Sequence, residues 1–262
     1  PDDGGRWSVP YSGKVDIAFP MINTDWNDDG ISHLLCQIMG GQLDIDVVTR
    51  CQLYKLKFPD SIRKHFGQPA VGISGLRART GRIDKPFLGG IIKPKTGISP
   101  ETLLDMTKEL VEGGVDFIKE DEILSNPAFC TLKDRVPIIA NYLAKVGYKG
   151  IYNFCINADP HAVLRRAQFV ASNSGPECGV HVNFWCGLGV YNSIRAQNPS
   201  LFIHFQKSGD KILTSTNHKF NISWSVIQQL AALQGVDSIH SGMIGGYMPD
   251  EEAKVLEDVD ML

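Results

Sequence analysis

The chain has 262 residues, 43% of them hydrophobic and 21% charged, with a formal net charge of -3. This balance excludes a disordered, collagen-like or disulfide-scaffold chain and offers no basic surface to nucleic acid or an anionic membrane. No apolar run reaches the roughly 20 residues of a membrane helix, so a soluble protein is expected. Six cysteines (Cys36, Cys51, Cys130, Cys155, Cys178 and Cys186) occur without C-x-x-C or C-x-x-H pairing. Their spread argues against a zinc site or redox pair and for a reduced, cytoplasmic compartment. The first residue is Pro1 rather than methionine, so a piece of a longer chain is expected.

In chain order, alternation over residues 15–19 predicts a strand ended by Pro20. Ile31, Leu34, Leu35 and Ile38 recur at helical spacing and predict a helix over 31–39, stopped at Gly40-Gly41. Residues 47–58 read as extended and close at Pro59. Together these outline part of a small N-terminal α+β domain over residues 1–84. After Pro86 a strand-then-helix rhythm sets in. Apolar strands are predicted at 87–92, 115–118, 151–155, 180–184, 201–205 and 238–240, with helices over 100–112, 132–146, 160–172, 224–234 and 250–262. The connection over 186–200 carries no clear pattern.

Repeated βα units imply an α/β fold with a parallel sheet, doubly wound or closed into a barrel. Residues 85–262 hold six units of about 30 residues, against roughly 250 residues for a closed (β/α)8 barrel. They read as six-eighths of a TIM-type barrel, C-terminally incomplete.

In such a barrel the reacting groups collect where strands end and loops begin. The first strand runs into Lys93-Pro94-Lys95 and the second into Lys119-Glu120-Asp121-Glu122. The fifth runs into His204-Phe205-Gln206-Lys207 and the sixth into His240-Ser241-Gly242. Adjacent carboxylates suit a hard cation such as Mg2+. Lys119 beside them is at odds with a cation unless its amine becomes an anion or acts as a base of lowered pKa; a solvated charge run is the alternative. Lys93 and Lys95 can bind a phosphate or stabilise an enolate, or simply form a surface turn. His240 and His204 are equally site residues or packed core. Gly187-Leu188-Gly189 does not continue into a dinucleotide fingerprint, and neither a G-x-S-x-G elbow nor a P-loop occurs.

The run from Gly89 through Lys93-Pro94-Lys95 to Ser99 resembles the first barrel strand of the large subunit of ribulose bisphosphate carboxylase (Rubisco). Gly113 to Glu122 resembles its metal-site strand, and Ser238-Ile239-His240-Ser241-Gly242 its sixth strand. The resemblance implies that Lys119 reacts with CO2 to form a carbamate (N6-carboxylysine), which with Asp121 and Glu122 holds Mg2+. It implies proton transfer by Lys93 with Lys95 beside it, and contact of His240 and Ser241 with the substrate. Carbamate formation needs a neutral amine, while free lysine has a pKa near 10.4; Lys93 is a candidate to lower it by like-charge repulsion. A homodimer is also implied, with each site completed by the neighbour's N-terminal domain.

Departures from the family pattern are equally informative. Tyr247 stands where the family's transition-state lysine belongs, Gln206 and Lys207 where it has a histidine and a phosphate-binding arginine, Asp210 where it has a further histidine, and Gly41 where it has an asparagine. Gln206 is neither acid nor base, and Lys207 keeps the charge without the bidentate fork. The enolising residues thus persist while those that add CO2 are altered, which looks like a Rubisco-like (form IV) protein acting on a phosphorylated ketose-like substrate by enolisation, isomerisation or decarboxylation. Met39-Gly40-Gly41-Gln42 is similar to the enolases of methionine salvage. The substrate-binding set expected is Gln206, Lys207, His240, Ser241 and Tyr247. Two alternatives stand beside this reading: a true carboxylase with an unusual loop, and a truncated, non-catalytic family member.

Overall fold

Short apolar runs that alternate with amphipathic ones can bury themselves only as parallel strands joined by covering helices. The computed structural model describes residues 12–246, 249–260 and 262. Its helices and strands are α1 (Gly30–Met39), β1 (Cys51–Leu53), α2 (Gly72–Thr80), β2 (Gly89–Ile91), α3 (Pro100–Glu112), β3 (Phe117–Lys119), α4 (Leu132–Val146), β4 (Ile151–Cys155), α5 (Pro160–Asn173), β5 (Cys178–Asn183), α6 (Val190–Gln197), β6 (Phe202–Gln206), α7 (Lys211–Thr214), β7 (Phe220–Ile222), α8 (Trp224–Leu233), β8 (Ser238–Ile239) and α9 (Glu252–Asp260). Six strands form one parallel sheet in the order β2-β3-β4-β5-β6-β8. It curls as the six-unit portion of a TIM-type barrel, as the strand-helix rhythm predicts.

Local chemistry explains where the helices begin and stop. The Ser99 side chain caps α3 by accepting from the Thr102 amide at 3.2 Å, with Pro100 preset in the first turn. Thr131 caps α4 in the same way, and Gly147 ends it at φ 63, a left-handed conformation that favours glycine. Val136, Ile139, Ala140 and Leu143 line one face of α4 and are all buried, each large side chain contributing about 1.5–3 kcal/mol by leaving water. They join a core containing Ile118, Phe154, Val180, Val182, Ile203 and Phe205. Strand alternation turns those residues toward the helices and leaves Lys119, Asn153, His181 and His204 on the concave face.

Four features differ from the sequence-based expectation. Residues 15–19 are not a strand: Val15 and Ile17 are 79% and 70% exposed. Alternation supplies a face, but a strand also needs a neighbour to complete its ladder. Of the extended stretch 47–58, only Cys51–Leu53 pairs, and it does so in parallel with β7, Cys51 opposite Phe220. The connection over 186–200 contains α6. Helix α2 crosses the N-terminal ends of the strands, where Leu76 packs with Ile151 and Phe202. All six cysteines are free, and among the described residues no helix is long and apolar enough to cross a membrane.

One buried ion pair ties the second unit together. Arg135 on α4 and Glu120 just after β3 are both fully buried and bonded at 2.8 and 2.9 Å. Removing one partner strands the other's charge away from water. Arg135→Met is therefore expected to lower stability by about 3–5 kcal/mol, read from the urea midpoint. Adding Glu120→Gln to it should cost less than the sum of the two single changes.

Candidate active site

The end of β3 sorts its four polar residues by strand alternation. Lys119 and Asp121 turn toward the barrel mouth, while Glu120 turns back into the protein. Glu120 accepts from Arg135, from the Cys155 amide at 2.7 Å and from the Tyr152 hydroxyl at 3.2 Å. Its oxygens are thus committed, and the acidic run supplies two free-facing carboxylates, Asp121 and Glu122, rather than three.

Lys119 is 4% exposed. Its nearest polar partners are the Glu120 carbonyl at 3.5 Å and Glu122 Oε2 at 3.8 Å, too long to satisfy an ammonium fully. Burial pulls its pKa below the ordinary 10.5, and Glu122 and Asp121 oppose that pull. Lys93 acts in the lowering direction but is the smallest of the causes, and its ammonium pairs with Asp121. Desolvation, more than the like-charge repulsion expected of Lys93, favours the neutral amine. Burial alone would raise the Asp121 pKa; Lys93 and the Ile123 amide, 2.9 Å away, hold it below the usual value, and the half-buried Lys95 acts in the same sense.

Glu122 is positioned from β4 and β6. Ser208 donates to Glu122 Oε1 at 2.8 Å, Gln206 approaches Oε2 at 3.5 Å, and Asn157 donates to its carbonyl at 2.8 Å. Gln206 is buried. Lys207 lies over the Trp224 ring at 5.4 Å and pairs with Asp250 at 3.0 Å and Asp210 at 3.5 Å. The backbone of His240 is fixed by a 3.0 Å bond to the Phe205 carbonyl. Burial, then Lys207 and Lys119, lower its pKa below 6.5. Ser241 follows it, half-buried. The structure therefore brings Lys93, Lys119, Asp121, Glu122 and Gln206 into one contiguous set, with Lys207 and His240 alongside. Tyr247 lies outside the described residues.

Below Lys119 lies a polar layer that sequence reasoning largely missed. His181 is fully buried with neither ring nitrogen hydrogen-bonded, and Asn153 Oδ1 is likewise unpartnered. His204 Nδ1 meets Ser238 Oγ at 2.8 Å. The alternation in Cys178–Asn183 was the available signal, since it turns His181 away from the apolar Val180 and Val182. A cavity of about 310 Å³ lined by Leu76, Phe117, Phe202, His204 and Ser238 opens at the opposite, N-terminal end of the strands.

Among the described residues, no three His, Cys, Asp or Glu side chains gather as a metal site. Asp121 and Glu122 are oxygen donors of the kind a hard divalent cation takes. A third anionic oxygen donor requires chemistry at Lys119, whose buried, poorly bonded amine fits that requirement.

Residues 72–262 match the family model of the ribulose bisphosphate carboxylase large chain, catalytic domain. The chain is 35% identical over 250 residues to the 3-oxo-isoapionate-4-phosphate decarboxylase of Rhizobium etli, an overlap of 92% of this chain and 58% of that protein. It is 32% identical over 240 residues to the ribulose bisphosphate carboxylase of Archaeoglobus fulgidus, covering 89% of this chain and 54% of that one. The chain thus spans little more than half the length of these curated relatives. The crystal structure of a rubisco-like protein from Burkholderia fungorum matches with a TM-score of 0.81 at 33% identity, over 93% of this chain and 60% of that chain.

The buried histidines make stability depend on acidity. Burial holds His204 neutral, its pKa lowered from 6.5 to about 3, and His181 is lowered in the same direction. Between those two values the unfolded chain takes up a proton that folded His204 refuses. Its contribution is therefore intact above pH 6.5 and declines as pH falls toward 3. The expected slope is about 1.4 kcal/mol per pH unit for each such histidine. His204→Asn should flatten the fall, as read from denaturant midpoints across the acid range.

Proposed function

Because the chain belongs to the ribulose bisphosphate carboxylase large-chain family, we propose that it is a Rubisco-like enzyme that enolises, and then isomerises or decarboxylates, a phosphorylated ketose-like substrate. One observation carries this reading: a buried, under-bonded Lys119 amine between Asp121 and Glu122, where β3 opens into the barrel mouth. Burial shifts the amine toward its neutral form, the form that adds to CO2 with loss of a proton. The resulting carbamate, with Asp121 and Glu122, gives three anionic oxygen donors for Mg2+. When bound there, Mg2+ supplies charge neutralisation next to the substrate carbonyl.

The remaining work falls to side chains of this chain. Lys93, beside Asp121 at the rim, is placed to move a proton at the carbon next to the carbonyl, and Lys95 adds positive charge nearby. His240, kept neutral by burial, can donate or accept at a substrate oxygen, with Ser241 beside it. Gln206 and Ser208 hold Glu122 in place. Residues 1–84, as part of an N-terminal α+β domain, would complete the neighbour's site in a cytoplasmic homodimer, with residues 85–262 as the barrel domain. The decarboxylase name of the Rhizobium etli relative supports carboxy-lyase chemistry, and Gln206 in place of a titratable group supports a reaction without productive CO2 fixation. The 32% identity to a ribulose bisphosphate carboxylase favours, as a second reading, a true carboxylase.

Proton NMR of ketose phosphates in D2O, with Mg2+ and bicarbonate, tests the proposal. Deuterium uptake next to the carbonyl is expected with the wild type, and a loss of about a thousandfold with Lys119→Ala. Full activity in that variant would overturn the mechanism. Incorporation of labelled bicarbonate into phosphoglycerate would move the assignment to the carboxylase.

A further inference from the structure

We propose that Ser208 is a positioning residue for a divalent cation at Glu122, acting as one member of a closed ring of hydrogen bonds across four strand ends. This deepens the metal-site reading above and rests on it. Ser208 Oγ, just after β6, donates to Glu122 Oε1, just after β3, at 2.8 Å. The Ser208 carbonyl accepts from Asn183 Nδ2, at the end of β5, at 2.8 Å. The Asn183 amide donates to Asn157 Oδ1, after β4, at 2.8 Å. Asn157 Nδ2 closes the ring on the Glu122 carbonyl, again at 2.8 Å.

The members are also held from outside the ring. Gln206 Nε2 donates to Ser208 Oγ at 2.8 Å, and Arg166 on α5 donates to the Asn157 carbonyl at 2.6 Å. The Trp185 amide occupies Asn183 Oδ1 at 2.9 Å. The Ser208 hydroxyl has one proton, and a carboxylate only accepts. With Gln206 donating to the hydroxyl, that proton goes to Glu122. Oε1 is thereby taken. Oε2 has only the longer approaches of Gln206 at 3.5 Å and Lys119 at 3.8 Å, so the less committed oxygen is the one facing the Lys119 amine.

Glu122 therefore offers a cation one preset oxygen rather than a freely turning pair. Fixing the carboxylate beforehand spares rotamer freedom that binding would otherwise remove. Groups that orient a metal ligand in this way are commonly worth about ten- to a hundredfold in affinity. Ser208, Asn183 and Asn157 carry no charge, so the ring directs Glu122 without competing for the ion.

The test is titration of the protein in bicarbonate with Mn2+, which shares the oxygen ligands of Mg2+, free ion being read by electron paramagnetic resonance. Ser208→Ala should bind about tenfold or more weakly while its urea midpoint shows a folded protein. Ser208→Thr keeps the hydroxyl and should stay within about threefold of the wild type. Asn183→Ala should weaken binding in the same direction through Ser208, and should add little to Ser208→Ala in the double variant. Unchanged affinity in folded Ser208→Ala, a threonine variant as weak as alanine, or full additivity in the double variant would each overturn the inference. Should an alanine variant not fold, Ser208→Cys, which keeps the volume but donates only weakly, takes its place and should also lose affinity. A wild type that takes up no Mn2+ defeats the metal-site reading and the inference with it. Wild-type binding with an unaffected Ser208→Ala defeats the inference alone.

Discussion

Glu120 and Arg135 form their charged pair where there is no water, and the geometry of the barrel mouth follows from it. Arg135 also donates to the carbonyls of Cys130, Ser125 and Cys155, so one guanidinium ties the segment after β3 to α4 and to β4. Glu120, accepting from three directions, cannot rotate toward the mouth. Alternation then leaves Lys119 and Asp121 no choice but to face it. A buried pair of this kind contributes little net stability compared with an apolar replacement. What it contributes here is direction.

The mouth it shapes is unusually balanced in charge. Lys93 sits on Asp121, Lys119 lies near Glu122, and Lys207 lies between Asp210 and Asp250. Such a site has no large field of one sign with which to draw in an anion. Its selectivity lies in which local pair a ligand can exchange for something better. Lys119 is the weak point of the arrangement, with its long contacts and its burial, and it is there that covalent chemistry has most to gain.

Much of this was legible in the sequence because the relevant signals are local. The strand-helix rhythm after residue 86 depends on residues within one or two turns of each other, and so do the polar strand ends Lys93-Pro94-Lys95 and His240-Ser241. What was illegible depends on distant partners. Residue type and spacing do not separate Glu120 from Asp121 and Glu122; the family resemblance does, and the physical reason, the pairing of Glu120 with Arg135 on the far side of the sheet, is visible only in the fold. The pairing of Lys207 with Asp250 joins residues from different βα units. Residues 15–19 alternate correctly yet form no strand, since pattern cannot supply a ladder partner. His181 alternates with Val180 and Val182 and so faces the mouth, but the strand reads first by its apolar residues.

The short ladder between β1 and β7 has a consequence for the order of assembly. Ser223 donates its hydroxyl to the Tyr54 carbonyl at 2.9 Å across 169 positions of sequence, and Leu56 is bonded to Gln229 across 173. Closing so long a loop costs more chain entropy than any strand pairing within the six-unit sheet, where neighbours lie a few tens of residues apart. On a ribosome, residues 51–53 emerge early but have nothing to pair with until residue 222 has followed them out. The segment made first is thus fastened late, as a clasp that closes only over βα units already in place.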